Sequence, residues 1–190
     1  MELKTTPAEQ YKLSKRRWTA HELVVIGVFA AAAKVSTLLV ALAGGGMNPV
    51  TLLLKNLIFT TLLVVMLYKV RTSGTLILFV TINIIFSMML LGVSVTLLPA
   101  MLLAAALGEG SALAVGGPAS RFGPLVAVGV YDLLFRCFSL GTSWIAMREA
   151  PQMVLAAIPL VALGYVGALG GLWTGSNAVK ELRHAGIVRF

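Results

Sequence analysis

Five charged residues stand inside long apolar runs: Lys34, Lys55, Glu109, Asp132 and Arg136. A charge at mid-membrane depth costs roughly 2.5–3.5 kcal/mol on insertion scales, so each needs a bundle interior or a wet cavity. Asp132 and Arg136 are four residues apart and share one helix face. They read either as a pair that neutralises itself or as groups that meet a polar ligand. Lys34, near the middle of its run, is placed to pair with Asp132 or Glu109, or to meet a ligand. Lys55 lies a turn or two inside the end of its run, where its stem can snorkel to the interface. Glu109, between Gly108 and Gly110, reads as a contact or partner residue near the opposite end of its run. Asn48, Asn56 and Asn83 add hydrogen-bonding capacity toward a ligand or a neighbouring helix. Three embedded cations against two carboxylates leave a small positive excess, which favours an anionic or zwitterionic ligand. The candidate binding residues are Asn48, Lys55, Lys34, Asp132 and Arg136.

Other chemistry is hard to build from this chain. There is no nucleophile–base–orienter set, no His-Glu-x-x-His and no phosphate-cradling P-loop, so no enzyme activity is expected. His21 and His184 are far apart and Cys137 is the single cysteine. Neither a metal site nor an internal disulfide follows, and no cofactor is implied.

The elements that carry these residues follow from hydropathy. The chain has 190 residues, 58% of them hydrophobic and 12% charged, with a mean hydropathy of +0.94. A helix crossing the hydrocarbon core needs roughly 20 apolar residues. The pattern predicts an all-α integral membrane bundle of about six transmembrane helices. They cover about 20–43, 49–68, 75–91, 97–115, 122–147 and 151–173, in a single membrane domain over 20–190. A polar tail over 1–19 precedes it, and a polar amphipathic end follows. Met1–Arg17 is too polar, and the first apolar run too long and too far in, for a signal peptide. Thr19 and Glu22 have capping-box spacing, and Pro49 suits a helix start after three glycines. The Gly44–Asn48 loop is expected to act as a lid over the site.

The formal net charge of +8 sits in tails and turns. The positive-inside rule accounts for it without a nucleic-acid partner. Lys69, Arg71, Arg121, Lys180, Arg183 and Arg189 join the five tail cations on one side, and Arg148 beside Glu149 stands on the other. Both termini are therefore expected in the cytoplasm of a prokaryotic cell, with the bundle in the plasma membrane. Gly27 and Ala31 form a small-xxx-small unit on the first helix, and Ala32 with Ser36 repeats the spacing. Gly164, Gly167, Ala168 and Gly171 make a similar face on the last helix. Such faces serve internal packing or docking of another membrane protein.

A six-helix protein without an ATPase, with a small-residue face on helix one, resembles the substrate-binding S components of energy-coupling factor (ECF) transporters. The turn Tyr68-Lys69-Val70-Arg71-Thr72-Ser73-Gly74 resembles the K-V-x-x-x-G turn of one S-component family, the Trep_Strep group. So does the ending from Gly171-Leu172-Trp173 to Lys180 and Ala185-Gly186-Ile187-Val188, with Glu109 late in helix four. The resemblance implies capture of a small nutrient from the outer side. It also implies delivery to a transmembrane coupling protein with two ABC ATPases, docked on Gly27, Ala31 and Ala32. The alternative is a stand-alone secondary transporter or channel that uses the buried charges as an ion or proton relay. An intramembrane enzyme and a ligand-free scaffold are further rivals.

Overall fold

The structure, a computed structural model, describes residues 18–44, 48–90, 95–149 and 151–185. The expected lid segment at 45–47, the N-terminal tail to Arg17 and the Gly186-Ile187-Val188 ending lie outside the described residues. Among the described residues there are six α-helices and no strand. They are α1 (Ala20–Gly44), α2 (Pro49–Lys69), α3 (Thr75–Leu90), α4 (Leu98–Ala114), α5 (Gly123–Ala146) and α6 (Pro151–His184), with a 3₁₀ turn at Val95–Leu97 before α4.

Local chemistry explains the helix starts. Thr19 and Glu22 close the capping box of α1: the Thr19 N–H donates to Glu22 Oε2 at 2.7 Å and the Glu22 N–H to Thr19 Oγ1 at 3.3 Å. Asn48 caps α2, its Oδ1 accepting from the Val50 N–H at 3.1 Å with Pro49 in the first turn. One boundary differs from the sequence reading. The polar end after 173 is not a separate segment but the continuation of α6, which runs for 34 residues. Gly175, which looks like a stop, sits inside the helix against Val64.

Side-chain contacts fix the helix directions. Glu22 meets Thr72 and Lys34 meets Ser87, so α1 and α3 run parallel. A Cβ on Gly167 would meet Leu53, one on Gly171 would meet Thr60 and Leu57, and one on Gly175 would meet Val64, so α2 and α6 also run parallel. Tyr68 meets Arg121 and Asn56 meets Arg136, which makes α5 antiparallel to α2. Successive helices therefore alternate in direction. The 69–75 turn, the 115–122 turn and the end of α6 share one end of the bundle. The helix ends near 44–49, 90–98 and 146–151 share the other.

The exterior is apolar. Val24, Val28, Leu39, Leu133, Ile145, Val166 and Leu169 are exposed large hydrophobics. The helices α1, α2, α5 and α6 are each long and apolar enough to cross a membrane. The two others are shorter, with 16 residues in α3 and 17 in α4. At 1.5 Å per residue they reach about 24–26 Å, and α6 about 51 Å. Paired levels show where the shortfall lies. From Lys34, α1 continues about 15 Å to Gly44, but from Ser87, α3 continues only about 4.5 Å to Leu90. The described part of α3 thus reaches about 10 Å less far than α1, and the chain continues from Leu90 into residues outside the described set.

Candidate functional site

The embedded charges resolve into three separate arrangements. The first joins α2, α5 and α6. Arg136 Nε donates to Asp132 Oδ2 at 2.8 Å, and Nη2 donates to Asp132 Oδ1 at 3.1 Å. Nη2 also donates to Asn56 Oδ1 at 2.8 Å, and Nη1 to the Val161 carbonyl at 3.2 Å. The guanidinium lies 6.0 Å from the Tyr165 ring centroid. The pair is bidentate, and all three nitrogens are engaged within the protein. Gly164 makes room for it: a Cβ there would sit 2.6 Å from Arg136 Nη1. In the sequence this glycine is legible only as part of the small-residue face of the last helix.

The second arrangement holds α3 by its first turn. Glu109 is buried, and its Oε1 accepts from the Gly74 N–H. A carboxylate from α4 thus caps the positive end of α3, where backbone N–H groups have no partner within the helix. Its Oε2 is buried with no hydrogen-bond partner among the described residues. Around it the turn is tied on several sides. Trp18 Nε1 donates to Thr75 Oγ1 at 3.4 Å, and the Trp18 ring fills the space over Gly74, whose φ is +90°. The Thr72 hydroxyl donates to Glu22 Oε1 at 3.3 Å, Arg71 Nη1 donates to the Ala119 carbonyl at 3.3 Å, and the Tyr68 hydroxyl donates to the Arg121 carbonyl. Burial lowers the Arg71 guanidinium from its ordinary range, and Tyr68 acts in the opposite sense. The turn over 69–75 is therefore the junction of four helices.

The third arrangement lies at the opposite end of α3. Lys34 Nζ donates to Ser87 Oγ in the last turn of α3. It pairs with neither Asp132 nor Glu109; the one ion pair among the described residues is Asp132–Arg136. Lys55 is half-buried and makes no polar contact among the described residues. The candidate binding residues thus do not converge on a single point. Asp132 and Arg136 meet each other and Asn56, Lys34 meets Ser87, and the Asn48 side chain caps its own helix.

The small-residue positions divide in the same way. Added Cβ atoms at Gly167 and Gly171 would lie 2.5 Å and 2.7 Å from the backbone oxygens of Leu53 and Leu57, so this face of α6 is internal packing. An added Cβ at Gly27 meets nothing within 4 Å. Ala31 is half-buried and Ala32 exposed, while Ile26, Ala30 and Ala33 carry the buried stripe of α1.

Helices of this length and an apolar exterior define a multi-pass membrane protein. Comparison of the chain with models of known families, with curated proteins and with solved structures finds no match.

Proposed function

We propose that the chain is the substrate-capture subunit of an ECF-type importer. In this reading all six helices cross the plasma membrane of a prokaryote, and both termini are cytoplasmic. The end that gathers Lys69, Arg71, Arg121, Lys180 and Arg183 is the cytoplasmic one, as positive-inside charge bias requires. In this orientation α6 carries its last turns into the cytoplasm.

The observation that carries the reading is the face of α1 around Gly27, where an added Cβ meets nothing within 4 Å among the described residues and Ala32 is exposed. With the half-buried Ala31 one turn on, it offers a close-packing surface to another membrane helix. The resemblance of the 68–74 turn and of the Lys180–Ala185 end supplies the identity of that partner as a coupling protein with two ABC ATPases. The relay alternative fits less well. Asp132 with Arg136, Glu109 at the start of α3, and Lys34 at Ser87 are separate from one another, and Lys55 joins none of them. The embedded charges therefore form no chain of contacts through the bundle among the described residues.

The test is purification of the tagged chain from its native membrane with mass spectrometry of what comes with it. Two ABC ATPases and one multi-pass coupling protein in fixed proportion are expected. A homogeneous chain that transports solute by itself in vesicles would overturn the reading.

A further inference from the structure

We propose that Lys34 on α1 pairs with a carboxylate on a membrane-spanning helix of its partner, an Asp or Glu side chain of the coupling protein. The inference deepens the docking reading and rests on it for the identity of that partner.

Lys34 stands about 21 Å along α1 from Ala20 and about 15 Å from Gly44, too deep for its stem to carry the charge to either end. It is half-buried, and its ammonium donates to the Ser87 hydroxyl, a neutral acceptor. The helices packed chiefly on α1 are α2 and α3. The ionisable residues of α2 are Lys55, Tyr68 and Lys69, and α3 has none. On α1 itself the one carboxylate is Glu22, about 18 Å away along the axis and engaged with Thr19 and Thr72. Asp132 is held by Arg136, and Glu109 caps the start of α3. Among the described residues the bundle thus gives Lys34 a position but no counter-charge. An ammonium has three protons to donate, and Ser87 takes one of them. In an apolar setting a carboxylate holds such a group far more strongly than a hydroxyl does.

The helix face points to where that carboxylate comes from. Seven residues separate Gly27 from Lys34, which is about 10.5 Å along the axis and about 20° around it. An added Cβ at Gly27 meets nothing within 4 Å among the described residues, and Val28, Ala32 and Val35 next to this line are exposed. A helix laid against α1 at Gly27 therefore passes the Lys34 stem two turns further on. Small residues permit the close approach, and a charge pair fixes its register, which apolar contact alone does not. A protein carboxylate fits this depth better than a lipid phosphate, which lies at the level of the head groups.

The experiment compares wild type, Lys34→Arg, Lys34→Gln and Lys34→Met, each purified from its native membrane in mild detergent with what it binds. All four should fold alike by thermal unfolding, because no carboxylate of the chain is left unpaired by the change. If Lys34→Met does not fold, Lys34→Gln carries the test. Wild type and Lys34→Arg are expected to retain the coupling protein and its ATPases, and the two uncharged variants to lose them at least tenfold. Lys34→Gln keeps a donor for Ser87, so its loss separates the charge from the hydroxyl contact. Each Asp and Glu in the membrane helices of the coupling protein is then changed singly to Asn or Gln. One change should reproduce the loss and add nothing when combined with the Lys34 variant. Full recovery of the complex by an uncharged Lys34 variant overturns the pairing and leaves the importer reading standing. So does a loss that no single carboxylate change reproduces, the result expected if a lipid or a solute supplies the negative charge. A different membrane protein, held through Lys34 and one of its own carboxylates, would sink the importer reading and keep the pairing. A wild-type chain that purifies alone would sink both.

Discussion

Two helices carry small residues at similar spacing, and the fold treats them in opposite ways. On α6, Gly164, Gly167, Gly171 and Gly175 are pressed against α2 and Arg136, with added Cβ atoms 2.5–2.8 Å from the nearest neighbour. On α1, Gly27 faces open space and Ala32 is exposed. The same sequence signature therefore means internal packing in one place and an unused close-contact surface in the other. Spacing alone does not separate them. Register does: α6 runs parallel to α2 with glycines facing its backbone, while α1 buries the neighbouring stripe of Ile26, Ala30 and Ala33.

The largest effect should come from filling the closed face. Gly171→Leu forces a side chain into the Leu57 carbonyl and Thr60, neither of which can yield cheaply. A loss of about 3 kcal/mol or a failure to accumulate folded protein is expected, read by denaturant titration in detergent. Full stability in this variant would break the comparison at once.

Next comes the clamp beside that face. Arg136→Gln and Asp132→Asn should each lose about 3 kcal/mol, because each leaves a buried partner unpaired. The double variant should recover part of the loss, since no orphan charge remains. Additive losses in the same titration would show that the two residues do not act as a pair.

A smaller effect is expected at the start of α3. Glu109→Gln removes a full charge from a helix N-terminus and should cost about 1 kcal/mol. Faster amide hydrogen exchange at Gly74 and Thr75 would localise it. Unchanged exchange there would mean that the cap does not hold the turn. Gly27→Leu should change stability least, by no more than about 0.5 kcal/mol.

Much of this architecture is legible in the residues. Helix positions follow from apolar runs broken by Gly-Pro and basic turns, and the α1 start follows from Thr19 and Glu22. The pairing of Asp132 with Arg136 follows from their spacing. Other features depend on tertiary register, which one sequence does not display. Glu109 looks like a surface contact because the helix end it caps lies 35 positions away in the chain. Pro49 marks the start of α2 in the sequence, and the Asn48 side chain before it is engaged as the cap of that helix. The unbroken length of α6 is hidden by Gly175 and by the polar residues after it. The parallel pairing of α2 with α6, which decides the meaning of the glycines, leaves no local trace.

The central claim is that the open face of α1 docks a coupling protein. Its most direct test is co-purification of that protein and its two ATPases with three forms of the chain: wild type, Gly27→Leu and Gly141→Leu. Gly141 on α5 is also open, with nothing within 4 Å of an added Cβ, so it controls for bulk on any lipid-facing surface. The account predicts a full complex for wild type and Gly141→Leu, and at least a tenfold loss for Gly27→Leu, equivalent to about 1.4 kcal/mol of binding free energy. Equal recovery of the complex by all three forms would contradict it.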